Sequence, residues 1–210
     1  MRLIDTHSHL FLEEFSEDLP QVIERARSAG ITHIFMPNID STTIDSMLSV
    51  CNTYNDYCFP MIGLHPTSVN ADYETELEIV ARELKSFNKY IAIGEVGMDL
   101  YWDKTFLKEQ QIVLDKQINW ALEYDLPVVI HCRDAFGYIY NVLEPYKNTS
   151  LKGVFHSFTG TDDEAARILE FSGFLIGING VVTFKKSRLP EVLTKIPLEK
   201  IVLETDSPYL

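Results

Sequence analysis

Short β-branched segments alternate with longer amphipathic segments along the whole chain, and this alternation constrains the fold more than any other feature. Eight segments have the composition of strands: 2–6, 32–36, 59–64, 90–94, 127–131, 153–155, 174–178 and 200–204. Seven stretches between them have helical periodicity: 19–29, 42–54, 73–86, 107–124, 136–146, 163–172 and, more weakly, 189–195. Eight strands that alternate with helices predict a parallel (β/α)₈ TIM-type barrel of the α/β class. A doubly wound open sheet, with roughly five to seven strands, is the alternative.

The chain has the composition of one globular domain that spans residues 1–210. It is 46% hydrophobic and contains no internal repeat, low-complexity tract or linker, so no domain boundary is predicted. Three cysteines without disulfide or zinc-ribbon spacing, no signal peptide and no apolar run of membrane-spanning length predict a cytoplasmic protein without a membrane partner. The oligomeric state stays open.

The net charge restricts the class of partner. At −13, the chain carries no general basic face of the kind that binds long duplex DNA. A nuclease is still compatible with this charge, because bound metal ions can supply positive charge locally.

Ionisable side chains of the metal-binding types follow the predicted strands at their carboxyl ends. These are His7 and His9 at the end of the first strand, Glu95 at the end of the fourth, His131 at the end of the fifth, His156 at the end of the sixth and Asp206 at the end of the eighth. In a parallel barrel these ends form one rim, where barrel enzymes keep their catalytic groups. We therefore expect the six side chains to lie close together.

The spacing of the first two histidines favours a shared ligand. Positions i and i+2 of a strand point to the same face, so His7 and His9 can both turn toward the barrel axis. Two imidazoles in this arrangement form half of a site for zinc or another divalent ion. A pair of surface histidines is the simpler alternative, but the other ligand-type residues at the same rim favour a metal site.

Six short motifs, in this order, resemble the TatD family of metal-dependent hydrolases, several of which are deoxyribonucleases. They are His7-Ser-His9, Gly63-Leu-His-Pro66, Gly94-Glu-Val-Gly-Met-Asp99, His131-Cys-Arg133, His156-Ser-Phe-Thr-Gly160 and Glu204-Thr-Asp-Ser-Pro208. The resemblance covers essentially the whole chain and implies the barrel fold of the wider amidohydrolase group.

The resemblance also implies two divalent metal ions and a division of the ligands between them. His7, His9 and Asp206 would bind one ion, His131 and His156 the other, and Glu95 would bridge the two. A carboxylate has two oxygens and can span metals about 3.5–4 Å apart. The ligand types suit zinc, manganese, cobalt and, less well, magnesium.

The family resemblance and this ligand set together predict hydrolysis of phosphodiester bonds in DNA, and the net charge of −13 favours single-stranded or frayed ends. Two divalent ions lower the pKa of a shared water toward about 7 and offset charge on phosphoryl oxygens. Asp206 is the candidate general base or water-orienting group, and Glu95 contributes as the bridge. The alternatives are a metal-dependent amide or ester hydrolase and a non-catalytic metal-binding barrel.

Two further rim residues, His65 and Arg133, are candidates for substrate binding. The planar guanidinium of Arg133 could hold a phosphate, or it could form a salt bridge to a loop carboxylate. The basic cluster of Lys185, Lys186 and Arg188 could contact a nucleic-acid backbone or form a solvated loop.

Three acidic residues are candidates for supporting roles, and Cys132 for packing. Asp5 and Glu204 precede His7 and Asp206 by two residues and are expected to orient ligand imidazoles. Asp99 is placed near the site by the family resemblance, with a loop cap as the alternative. Cys132 alternates away from His131 and is expected to face the helices.

No helix pattern follows the eighth predicted strand. Strand alternation then turns Ile4, Ile201 and Leu203 outward without a covering helix. Barrels of this type typically need roughly 250 residues. The sequence therefore predicts that the natural protein is longer, with an eighth helix over strands 8 and 1.

Overall fold

A computed structural model describes residues 2–86 and 89–209 of the chain. Its eight strands are β1 (Leu3–Asp5), β2 (Ile31–Pro37), β3 (Cys58–Met61), β4 (Ile93–Asp99), β5 (Val128–Arg133), β6 (Gly153–Phe155), β7 (Phe174–Ile178) and β8 (Ile201–Leu203). The seven α-helices between them are α1 (Leu19–Ser28), α2 (Ile44–Thr53), α3 (Tyr73–Ser86), α4 (Leu107–Glu123), α5 (Phe136–Leu143), α6 (Asp162–Leu169) and α7 (Leu189–Leu193).

The strands form a closed parallel ring. One ladder joins β1 to β3 and a second joins β4 to β8, in chain order. Ile62 bridges to Ile93 between the two ladders on one side, and Ser8 bridges to Ser207 on the other. The amide of Thr6 also donates to the carbonyl of Leu203 at 3.1 Å, which ties β1 to β8. The predicted (β/α)₈ barrel is confirmed.

The fourth and fifth strands extend further than predicted. Segment 90–94 was expected to be a strand that ends before Glu95, but β4 runs from Ile93 to Asp99. Gly97 explains the difference: its φ is +139°, and a Cβ there would overlap the carbonyl of His131. The glycine lets β4 and β5 approach closely instead of ending the strand. Glu95 and His131 therefore lie inside β4 and β5, not at the ends of these strands.

The core fills the layer between the ring and the helices. Helix α4 contributes Val113, Leu114 and Ile118, all of them buried, and β4 is buried along its whole length. Polar side chains are buried mainly where the strands end, so the carboxyl rim is the part of the barrel built for chemistry.

The β1–β8 side has no helix over it within the described residues. Ile4 is 43% exposed and Leu203 51% exposed, as predicted. Ile201 differs from the prediction, because it is half-buried and packs against the main core. The existence of a longer natural protein stays a prediction. Among the described residues, every helix is too short or too polar to cross a membrane.

Candidate metal centre

Glu95 lies at the middle of the rim, and its two carboxylate oxygens face different histidines. Oε2 is 3.0 Å from Nε2 of His7 and 3.5 Å from Nε2 of His9. Oε1 is 2.7 Å from Nε2 of His156 and 2.9 Å from Nδ1 of His131. Each oxygen of this carboxylate thus faces a different pair of imidazoles, which is the geometry required of a bridging ligand.

Asp206 approaches the same site from β8. Its Oδ1 lies 3.8 Å from Nε2 of His7 and 3.7 Å from Nε2 of His9. The backbone amide of Asp206 donates to the carbonyl of His7 at 2.9 Å, and its φ of +58° lies in the left-handed region. An aspartate held in this sparsely populated conformation, by a bond to the segment after β1, is positioned by the barrel closure itself.

His65 is closer to the centre than expected for a residue that only binds substrate. Its Nε2 lies 3.3 Å from Oε1 of Glu95, and its Nδ1 faces Thr67 at 2.6 Å from the hydroxyl oxygen. Together with Glu95 and His131 it forms one of the groups that could hold a metal ion. Its assignment to substrate alone is therefore not favoured by the geometry.

Two other groups of side chains could each hold an ion. One consists of His7, His9 and Glu95, and the other of His7, His156 and Asp206, with ligand atoms in each group within 4.8 Å of one another. The ring of His156 stacks on His7 at 3.7 Å between centroids. The structure thus brings all six predicted ligands together, while their division between two ions stays a prediction.

The electrostatics of Glu95 indicate a need for positive charge. The residue is only 2% exposed. Burial raises the pKa of Glu95, but the imidazoles of His156, His65 and His7 outweigh it and hold this pKa well below its usual range. Burial lowers the pKa of His156, whereas Glu95 beside it raises this pKa to about 10. A proton on His156 can therefore balance Glu95, and a divalent cation can take the place of that proton.

The two histidines that follow β1, His7 and His9, have the protonation state that metal ligands require. Burial lowers the pKa of His9 to about 4 and that of His7 well below its usual range. Both rings are therefore neutral at pH 7, so each has one nitrogen lone pair that a cation can use. The Nε2 atoms of His7, His9 and His156 converge on the carboxylate of Glu95, which fits a divalent cation in place of the shared protons.

Asp99 both contacts a candidate metal ligand and caps a loop, the two roles considered for it. Its Oδ2 lies 3.0 Å from Nε2 of His131, and its Oδ1 accepts the amide of Tyr101 at 3.0 Å. Burial raises the pKa of Asp99, but these hydrogen bonds outweigh it and lower the pKa. Both nitrogens of His131 face carboxylates, since Nδ1 lies 2.9 Å from Oε1 of Glu95. Burial lowers the pKa of His131, but the hydrogen bonds to Asp99 and Glu95 outweigh it and raise this pKa. A cation beside Glu95 would displace the proton on Nδ1, and Asp99 would hold the remaining proton on Nε2.

Asp5 and Glu204 differ in what they orient. Asp5 accepts the backbone amide of Thr205 at 2.9 Å and its hydroxyl at 2.7 Å, so it holds the β8 loop and no ligand imidazole, contrary to the prediction. Glu204 accepts the amide of Ser157, and its Oε1 lies 3.7 Å from Nδ1 of His156. Burial raises the pKa of Glu204 to about 7. Of these two carboxylates, Glu204 is therefore the one that faces a ligand ring.

Arg133 is exposed at the mouth of the site. It lines a cleft of about 470 Å³ that also contains Glu95, His131 and Asp206. Within residues 2–86 and 89–209 its guanidinium makes no hydrogen bond or ion pair, so the loop salt bridge considered for it does not form there. Its contact with a phosphate stays a prediction. Cys132 packs against the core, and burial raises the pKa of its thiol to about 12.

The basic cluster lies apart from this cleft. Lys186 and Arg188 line a separate cavity of about 640 Å³ beside α6 and α7, together with Asp162 and Glu191. Their mixed surroundings favour neither of the two roles considered above.

Two glutamines that support the site were not predicted. The side chain of Gln117 accepts the amide of Leu64 at 2.7 Å and donates to its carbonyl at 3.2 Å. Gln110 makes the same pair of bonds to Asp99, at 2.9 and 3.2 Å. Both lie on the buried face of α4, seven residues apart, and fix the backbone next to His65 and His131. Their i, i+7 spacing within an apolar face was the available signal.

Comparison with known proteins identifies the family. The family model described as "TatD related DNase" matches residues 4–210. The uncharacterized metal-dependent hydrolase YabD of Bacillus subtilis is 35% identical, covering 99% of this chain and 81% of the relative. A protein of Pantoea ananatis named 3'-5' ssDNA/RNA exonuclease TatD is 32% identical, covering 99% and 80%.

A solved structure of a TatD homologue has the same fold. The crystal structure of the TatD homologue YjjV from Escherichia coli K12 matches with a TM-score of 0.91 and 32% identity, covering 99% of this chain and 80% of that one. The chain therefore belongs to the TatD family of metal-dependent hydrolases.

Proposed function

We propose that this protein hydrolyses phosphodiester bonds of DNA at single-stranded or frayed ends. The observation that carries the proposal is Glu95, whose two oxygens face His7 and His156 at 3.0 and 2.7 Å. This arrangement suits two adjacent divalent ions, as in nucleases and phosphatases, and the same pair could also activate water against a carbonyl carbon. The name of the Pantoea relative, a 3'-5' ssDNA/RNA exonuclease, supports a nucleic-acid substrate.

The chain's own residues have distinct tasks in this proposal. His7, His9, His131, His156, Glu95 and Asp206 would hold two divalent ions (zinc, manganese, cobalt or magnesium), with His65 as a further ligand. Such ions supply a water of lowered pKa and offset negative charge on the phosphoryl group.

Asp206 accepts the proton of the attacking water in this scheme. Its side chain is 14% exposed, whereas that of Glu95 is 3% exposed, so Asp206 is the carboxylate that water in the cleft can reach. Burial raises the pKa of Asp206 to about 6, which brings it closer to that of a general base acting near neutral pH. Arg133 holds a phosphate at the mouth of the cleft with its unoccupied N–H groups.

The acidic surface explains why ends are preferred. With a net charge of −13, the chain attracts a long duplex weakly, so the contacts are few and close to the rim. A flexible single strand or frayed end can bend its phosphate toward the buried Glu95 more easily than a stacked duplex can.

The test is a hydrolysis assay with chelated protein to which zinc, manganese, cobalt or magnesium is returned. End-labelled single-stranded DNA, blunt duplex DNA and a panel of small amides and esters are compared. We expect metal-dependent shortening of the single strand. Hydrolysis of amides or esters without DNA cleavage would replace this proposal with the alternative hydrolase, and metal binding without any hydrolysis would indicate a non-catalytic barrel.

A further inference from the structure

We propose that Trp102, Tyr101 and Arg133 form a stacking platform, in which Tyr101 and Arg133 hold the ring of Trp102 and this ring stacks on an unpaired nucleobase of the strand whose phosphate lies at the metal centre. The inference rests on the proposed function and specifies how the substrate is recognised. It begins from the loop between β4 and α4, where two large aromatic rings are exposed next to the cleft.

The exposure of these rings is unusual. Trp102 is 72% exposed and Tyr101 is 53% exposed. A large aromatic side chain left in water forgoes the stabilisation that burial would give, so exposed aromatics commonly serve binding. Trp102 lines the same cleft as Glu95 and His131, which places its ring beside the metal centre and not on a remote surface.

The two rings are nevertheless held in place. The guanidinium of Arg133 lies 3.9 Å from the centroid of Tyr101 and 5.4 Å from that of Trp102. The rings meet edge to face, with centroids 4.8 Å apart and planes at 89°. These contacts fix the orientation of the aromatic faces before any ligand binds, which lowers the entropic cost of binding.

The loop is also fastened to the metal centre. Oδ1 of Asp99 accepts the amide of Tyr101 at 3.0 Å, while Oδ2 of the same carboxylate contacts Nε2 of His131 at 3.0 Å. One side chain therefore positions both a candidate ligand and the aromatic pair. The platform keeps a fixed distance from the site of hydrolysis.

The chemistry of the platform fits an unpaired nucleobase. Aromatic faces and a planar guanidinium stack on any base, whatever its sequence. A base inside a duplex already has neighbours on both faces and offers no free face to Trp102. Phosphates on either side of the base can meet the remaining N–H groups of Arg133 and the metal centre. This gives a physical cause for a single-strand preference that is independent of net charge.

Tryptophan fluorescence provides the test, because the chain has two tryptophans and only one lines the cleft. Trp120, in α4, is replaced by Phe so that Trp102 is the only emitter. The metal-loaded protein is titrated with a short fluorescein-labelled oligothymidylate whose phosphorothioate linkages slow hydrolysis. A strand of equal length and charge, with each base replaced by tetrahydrofuran, is titrated in parallel. Anisotropy reports binding of either strand.

We expect Trp102 emission to be quenched by the strand with bases and not by the baseless strand. The strand with bases should bind about 5- to 150-fold more tightly. Trp102→Leu should abolish this difference, Trp102→Phe should retain part of it, and Tyr138→Leu, which removes an exposed aromatic outside the cleft, should leave it intact.

Two outcomes would overturn the inference, and they are distinguishable. Equal binding of both strands by the wild type and by Trp102→Leu would refute the stacking platform and leave the proposed nuclease function standing. Binding of neither strand would refute the platform together with the proposed function.

Discussion

Asp99 and His131 contact each other through Oδ2 and Nε2 at 3.0 Å, on neighbouring strands β4 and β5. The other nitrogen of His131, Nδ1, faces Oε1 of Glu95 at 2.9 Å. When a cation beside Glu95 displaces the proton on Nδ1, Asp99 would keep the remaining proton on Nε2 and leave Nδ1 to bind the metal. A residue outside the predicted ligand set thus controls the chemical state of a residue within it.

Loss of this contact should weaken metal binding. We expect Asp99→Asn to lower metal affinity about 10-fold or more, because the amide is a weaker acceptor for the His131 proton and removes a negative charge. Isothermal titration of the chelated protein with zinc measures the effect. Asp103→Asn, a change at an exposed cap of the same loop, is the control and should not alter affinity. Equal affinity in both variants would rule out the orienting role of Asp99.

Gln117 should contribute to stability out of proportion to its size. Gln117→Leu leaves the amide and carbonyl of Leu64 buried without partners, at a cost of about 2–4 kcal/mol in the free energy of unfolding. Urea unfolding measures it. Gln111→Leu, in the same helix but without a side-chain hydrogen bond among the described residues, should change stability by less than about 1 kcal/mol. A similar small effect for both variants would show that the pair of bonds is unimportant.

A methyl group at Gly97 should disrupt the junction of β4 and β5. Gly97→Ala places a Cβ against the carbonyl of His131 at a φ of +139°, so we expect a loss of about 3 kcal/mol or more, or a failure to fold. The matched change Gly137→Ala meets no atom within 4 Å and lies in α5, where alanine favours the helix by about 0.5–1 kcal/mol. Thermal unfolding compares the two. Equal tolerance of both substitutions would contradict the close approach of the strands.

Binding of single-stranded DNA should depend only weakly on salt. We expect a slope of log affinity against log salt that corresponds to about two or three phosphate contacts, at roughly 0.7 per contact for a single strand. Arg133→Ala should reduce the contact number by about one while the metals stay bound. Anisotropy titrations across a range of potassium chloride concentrations test this. A slope that implies about eight contacts would contradict a binding surface confined to the rim.

The sequence predicted the ring of strands because the period of the apolar pattern changes from two to 3.6 at each element. It failed at the end of β4, since Gly94 and Gly97 are typical of turns when neighbours are unknown. Their role as small residues between paired strands depends on β5, which is distant in the chain. The end of a strand in a barrel depends on its pairing with the neighbouring strand. A local sequence pattern carries no information about that pairing.

The candidate metal ligands could be predicted from a local pattern. Histidines and carboxylates after apolar strands have few structural uses, so their pattern indicated a shared site. The support from Gln110 and Gln117 could not be identified as readily, because glutamine is common on solvated helix faces. The exposure of Trp102 could not be predicted from the sequence either, because an aromatic residue is normally expected in the core.

The central claim is that Glu95 joins two metal positions, and the metal content of Glu95→Gln tests it most directly. Metal-loaded wild type and variant are dialysed equally and analysed for metal per chain, with circular dichroism as a check of folding. The wild type should retain two ions, whereas Glu95→Gln should lose most of both and most of its hydrolytic activity, since the amide lacks charge and a second anionic oxygen. His131→Ala should mainly empty one position. Two ions retained by a folded Glu95→Gln variant with near-normal turnover would contradict the account.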